Sequence, residues 1–172
     1  VVTLARQRKP VHVPSQPLIL GVDVARYGDD ASVLAPRRGL DAKSIPWRRF
    51  RGIDTMALVT EIVRFHQAVG FDAIMVDDGN MGAGVIDRLL QMNIRNVYPV
   101  SFGGAGGQID YNGMVIKVAN KRAEIWVKMR HSLYSGLAIP DESDVEVDMT
   151  GTQYSYNGKD EILLEKKEHM KE

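Results

Sequence analysis

The sequence contains no cysteine, which excludes a disulfide framework and any thiolate metal site and fits a reducing compartment. Its four histidines, His12, His66, His131 and His169, share no metal-ligand spacing, so a histidine-based zinc site is not expected. No apolar run approaches the roughly 18 residues that mark a membrane span. No Walker A pattern occurs, which excludes ATP hydrolysis in the P-loop manner. Internal repeats and low-complexity tracts are also missing. Net charge is zero, with 22 Lys/Arg against 22 Asp/Glu, so the chain as a whole is no obvious polyanion binder. No signal peptide is visible and the chain opens at Val1, which reads as an excised domain or a processed product.

What is present is the composition of an ordinary globular protein: 172 residues, 44% hydrophobic and 26% charged, enough for one domain with a real core. The charge is unevenly spread. Residues 1–51 carry ten Lys/Arg against four acids, and the remainder is correspondingly acidic. Arg37-Arg38 and Trp47-Arg48-Arg49-Phe50-Arg51 supply much of this excess. Basic residues beside aromatics suit a phosphate backbone, although alternating arginines also form the wet face of an ordinary strand.

Pro10, Pro14 and Pro17 punctuate a basic opening stretch, which predicts an extended linker over 1–17. Strand patterns follow at 18–24, 31–38 and 45–51, separated by turns at Gly28 and Gly39, and predict an antiparallel meander. Asp54 reads as the N-cap of a helix reaching Val69, with Met56, Leu58, Val59, Ile62, Val63 and Phe65 as its apolar face and Gly70 as its stop. A strand at 72–77, a helix at 83–92 and a strand at 96–101 then imply parallel pairing. Five glycines within 102–113 predict a mobile loop. A long helix is expected over 117–134, with Val118, Ile125, Met129 and Leu133 inward and Gly136 as its end. The segment 140–149 is acidic, a hairpin is expected around Asn157-Gly158, and 166–172 is expected to begin another helix.

The chemistry-bearing pattern is a pair of strand ends. The run Leu18-Ile19-Leu20-Gly21-Val22 is interrupted by Asp23, and Ala73-Ile74-Met75-Val76 ends in Asp77-Asp78 before a glycine-rich turn. A carboxylate in a buried strand must be paired, protonated or bound to a cation. In open sheets with parallel strands, ligands bind beyond the strands' carboxyl ends. Two carboxylates delivered there suit Mg²⁺ or Mn²⁺ and phosphodiester chemistry. Asp29 reads as a turn residue, while Asp30 and Asp78 are further candidate ligands. Gly79-Asn80-Met81-Gly82-Ala83-Gly84 links strand to helix, but its spacing is not that of a dinucleotide loop. An actin-like ATP-binding half also opens with a Gly-x-Asp strand, yet it needs a phosphate loop that Arg26-Tyr27-Gly28 does not supply.

With Gly21-Val22-Asp23-Val24-Ala25…Gly28-Asp29-Asp30, Val76-Asp77…Gly82-Ala83-Gly84-Val85-Ile86-Asp87-Arg88-Leu89, Asn120-Lys121-Arg122-Ala123-Glu124 and the closing Ile162–Glu168 segment, the chain resembles the C-terminal nuclease domain of the large terminase subunit of tailed bacteriophages. The resemblance covers residue 18 to the end. It implies an α/β, ribonuclease-H-like fold, a mixed sheet of antiparallel meander and parallel strands flanked by helices, over 18–172, with 1–17 as a linker remnant. It further implies Mg²⁺- or Mn²⁺-dependent cutting of double-stranded DNA during genome packaging, in the host cytoplasm and away from any membrane. Asp23 and Asp77 then become the first two metal ligands. Arg48, Arg49, Arg51, Lys121 and Arg122 become backbone-phosphate contacts. The terminase ATPase domain, small subunit and portal protein become partners. The family's third acid follows the Lys-Lys-Glu stretch, so the third ligand is expected beyond Glu172, or else Asp30, Asp148 or Glu165 stands in. A catalytically silent DNA-binding or assembly module is the rival reading.

Overall fold

The computed structural model describes residues 1–25, 30–79 and 81–165. The expected turn at Gly28 and Asp29, the residue Asn80 and the expected helix over 166–172 lie outside them. In chain order the elements are α1 (Val2–Gln7), β1 (Leu18–Asp23), β2 (Ala31–Arg38), β3 (Arg48–Arg51), α2 (Thr55–Val69), β4 (Ala73–Asp77), α3 (Gly82–Gln91), β5 (Val97–Val100), β6 (Gln108–Tyr111), β7 (Met114–Lys117), α4 (Lys121–Tyr134), α5 (Ser143–Gly151), β8 (Tyr154–Tyr156) and β9 (Ile162–Leu164). They form two compact units, Pro10–Val100 and Val1–Lys9 together with the chain from Ser101 onward.

The unit Pro10–Val100 is built on a five-stranded sheet ordered β3-β2-β1-β4-β5. β1, β2 and β3 pair antiparallel, as the meander requires, while β4 pairs parallel with both β1 and β5. Alternation along the strands sends Leu18, Leu20 and Val22, Leu34, and Ile74 and Val76 to one face, where all are buried. Leu58, Val59, Ile62 and Phe65 of α2 and Val85, Ile86 and Leu89 of α3 complete that core. Their i, i+3, i+4 spacing is what makes these segments helical and one-sided. Each such burial contributes about 1.5–3 kcal/mol. The ends of α2 follow from two residues: the Asp54 carboxylate accepts from the Ala57 N–H at 2.8 Å, and Gly70 takes a left-handed φ of 78°. Met56, expected inward, is 53% exposed. The third strand begins only at Arg48, because Asp41 organises 41–44 into a turn by accepting from the Lys43 and Ser44 N–H groups.

In the other unit the expected loop at 102–113 contains β6, which pairs with β7 across Asn112 and Gly113. Both turn residues have positive φ, 52° and 79°, the geometry a two-residue hairpin demands. Lys117 is therefore a strand residue. The helix expected from 117 starts at Lys121, where the Asn120 side chain accepts from the Ala123 N–H at 2.9 Å. Its buried face comprises Ala123, Glu124, Val127 and Leu133, and Ile125 is exposed. The acidic segment folds as α5, and the expected hairpin around Asn157-Gly158 forms from β8 and β9. Val2–Gln7, expected as extended chain, is helical. Val2 and Ala5 are buried, Arg6 pairs with Asp141 and Glu146, and Arg8 donates to the carbonyls of Leu133 and Leu137. Among the described residues no helix is long and apolar enough to cross a membrane.

Candidate active site

Register decides what the strand ends bring together. β1 and β4 are paired through Val22 and Val76, and each strand runs one residue further, to Asp23 and to Asp77. The two aspartates therefore sit side by side at the carboxyl ends of adjacent parallel strands, about 4.8 Å apart along the hydrogen-bonding direction. Alternation puts both on the sheet face opposite the α2–α3 core. Across the same row, Asp23 pairs with Val33, Val33 with Arg49, and Asp77 with Val100. The row thus reads Arg49, Val33, Asp23, Asp77, Val100. Arg49 stands two strands, about 10 Å, from Asp23. Arg51 pairs with Ala31, two residues further toward the same sheet end and on the same face.

Asp23 is exposed rather than buried in its strand, so the burial argument from its apolar neighbours does not apply to it. Asp77 and Asp78 are half-buried. Asp77 Oδ1 accepts from the Gly79 N–H at 3.1 Å, while the Asp78 N–H continues the ladder to the Val100 carbonyl at 3.1 Å. The turn after β4 is closed by the Gly82 N–H on the Gly79 carbonyl at 3.0 Å. Gly82 packs so closely on the strand end that a Cβ there would lie 1.7 Å from the Asp77 carbonyl oxygen. On β1, the exit loop is tied by the Ala25 N–H donating to Ser32 Oγ at 3.0 Å. Ser32 is itself buried, and no sequence signal singled it out. Asp30 is exposed and immediately precedes β2, at the same end of the sheet.

The other expected contacts are placed differently. Arg48 pairs with Leu34 and so belongs to the core face, where its guanidinium lies 3.7 Å from the Phe65 ring centroid. Phe50, two residues on, carried the missed signal: an aromatic sharing a strand face with Arg48 marks that face as inward. Lys121 and Arg122 lie in the other unit, at the start of α4. Lys121 pairs with Glu124 at 2.7 Å, and Arg122 donates to the Glu165 carbonyl at 2.6 Å. Burial lowers the Arg122 pKa, and the nearby Glu165 opposes that shift. The helix N–H groups there are engaged, Lys121 with the Gly104 carbonyl and Arg122 with the Phe102 carbonyl. Asp148 on α5 and Glu165 after β9 also belong to that unit.

Among the described residues no group of three or more His, Asp or Glu side chains converges to hold a metal. The Asp23–Asp77 pair nevertheless fits a hard divalent cation. Mg²⁺ is commonly held by one or two carboxylates, with water and substrate phosphate completing its octahedron.

No protein-family model matches the sequence, and no curated protein matches it by sequence. Solved structures do match. A mutant large terminase subunit fragment of bacteriophage Sf6, solved with calcium, has a TM-score of 0.74 and 16% identity over 90% of this chain and 80% of its own. The large terminase nuclease of thermophilic phage G20c, solved with magnesium, has a TM-score of 0.60 and 13% identity over 89% of this chain and 73% of its own. The nuclease domain of the Thermus phage P74-26 large terminase has a TM-score of 0.59 and 13% identity over 89% and 71%. At such identities the agreement is one of architecture: this chain has the ribonuclease-H-like fold of phage large-terminase nuclease domains.

Proposed function

We propose that the chain is the nuclease domain of a phage large terminase subunit and cuts double-stranded DNA during genome packaging in a Mg²⁺- or Mn²⁺-dependent reaction. The observation that carries this reading is the in-register placement of Asp23 and Asp77 at the ends of β1 and β4. These two carboxylates would hold the cation, with Asp78 and Asp30 near enough in sequence to assist through water. When bound, divalent ions supply Lewis acidity toward phosphate and a nucleophilic water at neutral pH. The chain's own contribution is to fix two anionic ligands at one sheet end and to present Arg49 and Arg51 on the same face. From there the guanidiniums would grip the DNA backbone. Contacts of that kind position a duplex without reading its bases. The packaging ATPase domain, small subunit and portal are the partners this reading entails.

The test is nicking and linearisation of supercoiled plasmid in Mn²⁺ or Mg²⁺. Wild type should cut, whereas Asp23→Ala and Asp77→Ala should each lose essentially all activity while remaining folded by circular dichroism. Cutting retained by both variants sinks the assignment. A second reading, a catalytically silent DNA-binding module, is favoured by the lack of a third converging carboxylate among the described residues. It predicts salt-sensitive DNA binding with no cutting and no Mn²⁺ uptake.

A further inference from the structure

We propose that Gly79 and Gly82 are positioning residues for Asp77, one orienting its carboxylate and the other setting its backbone; the inference rests on Asp77 being a metal ligand. A carboxylate at the end of a strand has several staggered orientations open to it. Here the Gly79 N–H holds Oδ1 at 3.1 Å. Among the described residues Oδ2 makes no hydrogen bond, which leaves it as the oxygen for the cation. A ligating carboxylate fixed in turn by a hydrogen bond is the usual arrangement of metal centres.

Gly82 acts one layer further back. As the first residue of α3 it lies against the Asp77 carbonyl, where a Cβ would come within 1.7 Å of the oxygen and 2.8 Å of the carbonyl carbon. Both contacts are backbone atoms and cannot rotate away. Any side chain at 82 must therefore push the Asp77 peptide or the helix start. The Gly82 N–H also closes the turn onto the Gly79 carbonyl, so a displaced helix start carries the Gly79 donor with it. Gly84, two residues on in the same helix, has open space around its would-be Cβ and serves as the internal control. At Gly79 a Cβ would meet Asp77 Oδ1 at 3.2 Å, a milder intrusion on the carboxylate itself.

The experiment compares wild type, Gly82→Ala, Gly79→Ala and Gly84→Ala in two readouts. Mn²⁺ affinity is measured by calorimetry, and the Asp77 and Asp78 amide resonances are followed by NMR on the metal-free protein. Gly82→Ala should weaken Mn²⁺ binding about 10-fold or more, the scale of a lost supporting contact. Gly79→Ala should weaken it by a smaller factor. Both should move the two amide resonances, and Gly84→Ala should leave affinity within about two-fold and the resonances in place. A folded Gly82→Ala with wild-type affinity and unmoved amides overturns the proposal. If Gly82→Ala does not fold, Gly79→Ala decides by the same criteria. If wild type takes up no Mn²⁺, the metal reading fails and the amide shifts alone decide whether the glycines position Asp77.

Discussion

Arg48 and Arg49 are neighbours in sequence, but strand alternation should give them opposite fates on substitution. Arg48 lies over Phe65, its Cζ 3.7 Å from the ring centroid, and Phe65 is only 2% exposed. A cation stacked on a buried aromatic contributes about 0.5–2 kcal/mol, and the arginine's aliphatic stem covers apolar surface besides. Arg48→Ala should therefore cost about 1–2 kcal/mol, which in a domain of this size lowers the melting temperature by about 2–8 °C. Arg49 stands on the other face, in the row of Asp23 and 5.9 Å from the Trp47 ring. Arg49 is exposed, so its replacement should cost less stability than that of Arg48. If Arg49 neutralises one phosphate, Arg49→Ala should flatten the plot of log affinity for duplex DNA against log salt by about 0.9. Arg48→Ala should leave that slope unchanged. Circular-dichroism melts and DNA titrations across a KCl series measure both quantities on the same samples. The face assignment is refuted if Arg48→Ala flattens the slope while leaving the melt untouched.

Two further predictions concern the unit containing α4. Asn120→Ala removes the side chain that accepts from the Ala123 N–H and should cost about 1 kcal/mol, read from urea unfolding, with Asn120→Asp largely preserving stability. Glu124 is buried, and hydrogen bonds from Lys121 and Lys128 hold its pKa below the ordinary glutamate value. A depressed carboxylate pKa contributes stability that is present above the unfolded value and lost as pH falls through the folded one. The melting temperature of wild type should accordingly drop as pH falls from the usual glutamate range downward. Glu124→Gln should start lower at neutral pH and lose less over that acid interval.

The sheet and its covering helices were legible because each signal was local and strong. Asp54 and Gly70 bracket α2, and even-numbered apolar positions mark one face of β1 and β4. The two candidate ligands were legible as strand ends, but their common row was not. Register is a relation between segments far apart in sequence, and a slip of one residue would have put Asp77 on the core face. The same alternation separates Arg48 from Arg49, and only a known inward neighbour such as Phe50 fixes which of them faces the core. The second unit is less legible in the sequence. Lys117 fits a helical charge pattern as readily as a strand end, and the capping residue Asn120 lies inside the expected helix. Pro10, Pro14 and Pro17 signal extended chain, but they follow Val2–Gln7, whose helix depends on docking against α5 and the end of α4 rather than on its own propensity.

The anchoring of α1 by Arg6 and Arg8 bears on how the chain is made. One unit is a single uninterrupted stretch, Pro10–Val100, and can complete its core as soon as that stretch has left the ribosome. The other is assembled from both ends of the chain. Val2 and Ala5 are made before that stretch and remain without their packing partners until α4 and α5 have been synthesised, about a hundred residues later. Because the closure entropy of such a long loop grows only logarithmically, its thermodynamic penalty is small; the delay is the larger consequence. During synthesis the nascent protein therefore passes through a stage with a finished sheet and an exposed apolar turn preceding it, and α1 finds its place after the sheet although it is made before it.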